Sequence, residues 1–261
     1  MSDSLKLVRQ LREITGAGIL DCKKYLERTN NNLDDAIKLF RTESGKKAEK
    51  KSSRIAAEGL VNYFENSKSI LILELNSETD FVAKDENFIS LSESIAEILL
   101  NQEKSDNMDA INSIVTESIS KLGENIKLRR YLKIDKTNNL YGYTHNNKIV
   151  SIVELKNPDE KLAKDICMHI VASNPLALDE SSLDEEALKS EREIYKKELD
   201  KIDKKEDIKR NILDGKMKKF INDNTLLNQP FVKDPSTTLA KIISNNEILS
   251  YHRYEVGEGL E

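Results

Sequence analysis

Leu60-Val-Asn-Tyr-Phe-Glu-Asn-Ser-Lys-Ser-Ile-Leu-Ile-Leu-Glu-Leu75 and Leu140-Tyr-Gly-Tyr-Thr-His-Asn-Asn-Lys-Ile-Val-Ser-Ile-Val-Glu-Leu155 align without a gap. Leu60/Leu140, Tyr63/Tyr143, Asn66/Asn146, Lys68/Lys148, Ile72/Ile152, Glu74/Glu154 and Leu75/Leu155 coincide. Each stretch reads as strand, polar turn, strand, with turns at Glu65–Lys68 and His145–Lys148. Helical periodicity follows each hairpin. Phe88, Leu91, Ile95 and Leu99 predict a helix over 85–100, and Leu162, Ile166, His169 and Ile170 one over 159–173. Each copy then owns a later strand with an Arg-Tyr pair, at 126–134 around Arg130-Tyr131 and at 248–256 around Arg253-Tyr254. The pattern predicts an α+β fold whose core is duplicated: two small antiparallel sheets, each covered by helices. Residues 55–138 form the first subdomain, and residues 139–180 with 222–261 the second.

Working outward from the core, residues 1–45 read as three short helices. Leu7, Leu11 and Ile14 share one face of the first, and Thr15-Gly-Ala-Gly18 breaks it. Periodicity turns Leu20, Tyr25 and Leu26 of the second helix inward. Asn32 is placed as an N-cap, with Leu33, Ile37 and Phe40 as the third apolar stripe. Three such helices, tightly joined, resemble a ubiquitin-associated-type bundle, though periodicity alone equally allows a packing module with no partner. Residues 46–54, dominated by Lys46, Lys47, Lys50, Lys51 and Arg54, read as a solvated basic linker. Gly45-Lys46 is not a phosphate loop, because the upstream glycine is missing and Lys47 stands where Ser or Thr is required. Residues 181–221 interrupt the second copy. Leu188, Tyr195, Leu199 and Ile202, then Leu213, Met217 and Phe220, predict a coiled-coil-like antiparallel helical hairpin with its joint at 203–207.

Composition bounds the function. The chain has 261 residues, 33% charged and 38% hydrophobic, with a net charge of −5. A mixed, slightly acidic surface does not suit specific nucleic-acid binding as the main role. Cys22 and Cys167 are too few for a disulfide framework and read as reduced thiols. Met1–Ser4 lacks the order of an export signal, and the apolar run 70–75 is far too short to span a bilayer, so the expected compartment is the cytoplasm with no membrane partner. His145, His169 and His252 belong to no triad or metal spacing. No catalytic residue, metal or cofactor is expected. His169 on an apolar helix face reads as a packed core residue, and His145 as an exposed turn residue.

The two copies differ between hairpin and helix. The first carries Asn76–Lys84 where the second has Lys156–Pro158. A fold that closes with the short connection does not need the long one, so Thr79-Asp-Phe-Val82 is a candidate functional loop. On the residues alone two readings stand. Phe81 and Val82 tuck back onto the sheet or staple the next helix, or Phe81 is an exposed interface anchor.

Several motifs carry a resemblance. Thr15-Gly-Ala-Gly-Ile-Leu-Asp-Cys-Lys-Lys24 is similar to the first signature of the elongation factor Ts family. Asn76-Ser-Glu-Thr-Asp-Phe-Val-Ala-Lys-Asp-Glu-Asn-Phe88 resembles the second. Met168–Ser173, Gly215–Phe220, Gln229–Val232 and Arg253–Gly259 follow in the family's order, so the likeness spans essentially the whole chain. The resemblance implies a guanine-nucleotide exchange factor of translation elongation. It would bind elongation factor Tu in its GDP-bound and nucleotide-free forms and have no bond-making chemistry of its own. It further implies that Thr79, Asp80, Phe81 and Val82 form an exchange loop that dislodges the partner's magnesium. Arg12, Gly18, Ile19, Leu20, Lys23 and His145 would contact the partner, and 181–221 would serve self-association or partner contact. Some family members continue with a further helix where this sequence ends at Glu261. The alternative reading is a ubiquitin-like or RNA-binding adaptor without exchange activity, resting on the bundle and on the Lys46–Arg54 run.

Overall fold

A computed structural model describes residues 3–101 and 108–260. Met1 and Ser2, part of the start read for an export signal, and Glu261 lie outside the described residues. The chain forms two compact units. The first comprises residues 1–136, the turn Asn146–Lys148 and the tail Tyr254–Glu261; the second comprises Thr137–His145 and Ile149–Arg253.

The first unit opens with α1 (Asp3–Thr15), α2 (Ile19–Arg28) and α3 (Leu33–Lys51). Val8, Leu11, Ala17, Cys22, Tyr25, Leu26, Ala36 and Phe40 make their common core, with the Tyr25 and Phe40 rings edge to face at 5.8 Å. Asn32 caps α3 by accepting from Asp35 N at 3.2 Å, as expected. Two residues predicted to face inward do not. Ile14 is 54% and Leu20 73% exposed. The buried face of α2 is set by Cys22, Tyr25 and Leu26, and at about 100° per residue Leu20 lies on its far side.

Residues 46–51, read as a solvated linker, are helical. Helix α3 runs through them and spans 19 residues. Lys and Glu are good helix formers, and the terminal Lys50 and Lys51 suit the C-terminal end of the dipole. Beyond Phe40 the inward face of α3 is marked by small residues. Ala36, Phe40 and Ser44 are buried, and Ala48 packs on the core of the sheet that follows.

That sheet comprises β1 (Glu58–Glu65), β2 (Ser69–Ser77) and, later in the chain, β3 (Lys127–Asp135), antiparallel in the order β1-β2-β3. Between β2 and β3 come α4 (Asp80–Ala83), α5 (Glu86–Asn101) and α6 (Met108–Leu122). Periodicity did not single out α6. All nine residues of the central strand β2 are buried. One face, with Leu71, Leu73 and Leu75, meets Phe88, Leu91, Ile95 and Leu99 of α5 and Ile111 and Ile119 of α6. On the opposite face Glu74 is fully buried. Its carboxylate accepts from Arg129 at 2.9 Å, Arg130 at 2.6 Å and Gly257 N at 2.8 Å. Burial would raise its pKa, but these donors together hold it below the ordinary carboxylate range. Gly257 has φ +75°, and a Cβ there would lie 2.5 Å from Ala57 O, so only glycine brings this N–H to the carboxylate.

The second unit has β4 (Leu140–His145), β5 (Ile149–Leu155), α7 (Glu160–Ser173), α8 (Glu185–Asp200), α9 (Glu206–Asn224), β6 (Pro230–Phe231), β7 (Asp234–Thr238), α10 (Leu239–Ile242) and, up to Arg253, β8 (Ile248–Glu255). Its main sheet has the order β4-β5-β8. Val153 and Leu155 meet Ala163, Ile166 and Ile170 of α7 in its core. Helices α8 and α9 form the expected antiparallel hairpin, with Leu199 and Leu213 buried. It is crossed by Lys216 to Glu198 at 2.5 Å and by Lys216 over the Tyr195 ring at 4.8 Å.

The duplication holds, with one correction. In the first hairpin Leu60 pairs with Leu75, whereas in the second Leu140 pairs with Glu154. The gapless alignment is therefore one residue out along the leading strand. Asn146 and Asn147, both left-handed at φ 51° and 55°, close a turn one residue shorter than the first. A one-residue slip turns every side chain to the other face. Leu60 and Phe64 face the first core, but Tyr141 and Tyr143 face the second. The Tyr63/Tyr143 coincidence thus pairs residues on opposite faces.

Candidate functional site

The long connection of the first copy is a single helical turn, not an open loop. Thr79, extended at φ −127° and ψ 157°, is the N-cap of α4, and its hydroxyl accepts from Val82 N at 3.4 Å. The same hydroxyl donates to Glu124 Oε1 at 2.6 Å, and Thr79 N donates to Glu124 Oε2 at 2.9 Å. Val82 packs on the core beside buried Ala83. With those two turned in, helical spacing turns Phe81 out, and the residue is 81% exposed. The tucked reading thus holds for Val82 and fails for Phe81.

Asp80 sits in the first turn of α4 and pairs with Lys84 at 2.7 Å. The hydrogen bond from Lys84 holds the Asp80 carboxyl below the usual range, so it is ionised at neutral pH. The tip offers an aromatic wedge and a fixed negative charge side by side.

The other predicted contact residues fall into two places. Arg12 on α1, Gly18 before α2, and Ile19, Leu20 and Lys23 on α2 are all exposed. Ile19 is 52% exposed, and Ile14 and Leu20 are exposed as well. A Cβ at Gly18 would meet nothing within 4 Å, so this backbone is open to approach. His145 belongs to the second unit, exposed at the end of β4, with Nδ1 3.3 Å from the Tyr143 hydroxyl.

His169 is the expected core residue. It is fully buried, with Nε2 3.1 Å from Gln229 Oε1, and Nδ1 accepts from Val232 N at 3.2 Å. Burial lowers its pKa, against a weaker opposing contribution from Gln229. Cys22 and Cys167 are free and buried, and burial pushes the Cys167 thiol up to about 12. Among the described residues no group of His, Cys, Asp and Glu is placed to hold a metal. No helix among them is long and apolar enough to cross a membrane.

The elongation factor Ts family model matches residues 78–258, beginning one residue before the tip's cap, and a UBA-like domain model matches residues 6–41. The chain belongs to the elongation factor Ts family. Elongation factor Ts of Legionella pneumophila (strain Lens) is 40% identical over 272 residues, covering 99% of this chain and 93% of its own. Those of Thioalkalivibrio sulfidiphilus and Halothermothrix orenii are 40% and 39% identical, each covering all of this chain and 94% of its own. This elongation factor Ts family member is thus a translation elongation factor with a UBA-like N-terminal domain. One supporting residue of its tip, Glu124, gave no signal in the sequence. Its partner Thr79 is distant in the chain, and Gly123-Glu-Asn125 resembles any polar helix end.

Proposed function

We propose that the chain is the guanine-nucleotide exchange factor for elongation factor Tu, and that it promotes GDP release by inserting the Asp80–Phe81 tip beside the partner's magnesium site. Family membership supports the general activity. The observation that carries the mechanism is Phe81: a large ring left in solvent on a capped turn whose Val82 packs on the core and whose Ala83 is buried. Burying such a ring against a partner is worth about 1.5–3 kcal/mol. About 1.4 kcal/mol of that, if available only in the nucleotide-free complex, weakens GDP tenfold, because coupling between two ligands is reciprocal. Asp80 adds a charge that competes for the groups positioning magnesium. No bond is made or broken, so the chain needs no nucleophile, base, metal or cofactor.

In this reading the surface of Arg12, Gly18, Ile19, Leu20 and Lys23 grips the GTPase domain, and His145 adds a contact from the second unit. The α8–α9 hairpin leaves Ile194, Ile202 and Ile208 exposed, in keeping with self-association or partner contact there. Stopped-flow release of a fluorescent GDP analogue from elongation factor Tu tests the mechanism. Phe81→Ala should slow release at saturating chain by about tenfold or more, and should leave the melting temperature of the free chain unchanged. Release as fast as with the unchanged chain excludes the wedge.

A further inference from the structure

We infer that Glu124 is a positioning residue for exchange: its carboxylate clamps Thr79 and so fixes the pose in which α4 presents Phe81. This rests on the exchange reading above. A helix of one turn has no intrinsic stability, so its pose depends on what holds its ends. Glu124 takes both the backbone N–H and the hydroxyl hydrogen of Thr79. With its hydrogen so committed, the hydroxyl oxygen is left facing Val82 N, and the cap rotamer is set.

The clamp is reciprocal. Glu124 accepts from the amide after Glu78, and Glu78 accepts from the amide after Glu124, Asn125 N, at 2.6 Å. The 123–125 turn is itself pinned. Gly123, left-handed at φ +83°, ends α6, and its carbonyl accepts from Lys51 Nζ at 2.5 Å. The Asn125 side-chain Nδ2 donates to Arg54 O at 2.8 Å, and the Arg54 guanidinium lies 3.4 Å from Glu78. Two cations of the basic 46–54 run are therefore struts of this clamp. A wedge works only where its pose is fixed, since a displacement of about 1 Å can remove the effect of a positioned group.

The test uses the full chain with Glu124→Ala, Thr79→Val, Thr79→Ser and Phe81→Ala, and two readouts. Amide hydrogen exchange in the free chain reports the pose, and stopped-flow GDP release from elongation factor Tu reports its use. Glu124→Ala should speed exchange of the amides at 82–85 while β2 amides keep their protection. It should lower the maximal release rate about tenfold and move the half-saturating concentration less than about threefold. Thr79→Val should behave alike, and Thr79→Ser should restore both readouts. In a Phe81→Ala background, Glu124→Ala should add little, because the two act as one unit. Unchanged protection at 82–85 overturns the clamp. A loosened turn with unchanged release, or an equal loss with Phe81 absent, overturns its role in exchange. If Phe81→Ala alone leaves release unaltered, the exchange reading fails, and the hydrogen-exchange arm still judges the clamp.

Discussion

Phe81 and Val82 are chain neighbours with opposite fates, and only the capped turn between Thr79 and Ala83 decides which is which. The sequence marked the segment through its extra length but left Phe81 open between tucked and exposed, since both residues are apolar. Leu20 was unreadable for a similar reason: its phase is clear only once Cys22, Tyr25 and Leu26 are known to define the buried face of α2. His169 was legible, because an apolar helix face leaves a histidine few other fates. It also makes a prediction. Its pKa is depressed in the fold, so the unfolded state binds more protons below about pH 6.5. The stability it contributes is complete above that pH and is lost as pH falls towards the depressed folded value. Half-buried His252 shifts in the same direction. Urea unfolding at pH 7.5, 6.5 and 5.5 should show falling stability, and the ring resonances of His169 should titrate with a midpoint below 6.5. A midpoint at or above 6.5 contradicts the burial argument.

At the scale of elements, hairpins, α5, α7 and the α8–α9 arm were readable because their apolar periods are strong. The basic run was not. Just before and within it, α3 turns inward buried Ser44 and partly buried Ala48, small residues that admit close packing without a strong apolar signature. The register of β4 was hidden too, since a turn one residue shorter leaves composition unchanged while inverting the strand. Helix α2 carries the element-scale prediction. Leu20 makes no demand on the bundle core, so Leu20→Asp should leave the melting temperature of the free chain within about 2 °C. It should weaken the complex with nucleotide-free elongation factor Tu by about 2 kcal/mol, the size of an interface hot spot. Titration calorimetry checks this. Unaltered affinity removes the α2 surface from the interface.

For the molecule as a whole, the duplicated core was visible in sequence, but the ties that complete the first unit were not. Glu74 and Glu154 match in the alignment yet live differently. Glu154 bonds Thr137 at 3.0 Å near the surface, whereas Glu74 is buried under two arginines and the Gly257 amide. Removing one partner of a buried, hydrogen-bonded ion group costs about 3–5 kcal/mol. Glu74→Ala should lower the unfolding free energy by that amount, measured in urea at pH 7. Because its folded pKa is depressed, Glu74 contributes fully at neutral pH, and its contribution fades as pH drops below about 4.3. A loss under about 1 kcal/mol contradicts the buried-ion account. The most direct test is GDP release from elongation factor Tu with saturating Phe81→Ala and unchanged chain, each with magnesium and with excess chelator. If the tip acts on magnesium, the variant's deficit is large with the ion present and shrinks when it has already been removed. A deficit of equal size in both, or none in either, contradicts the account.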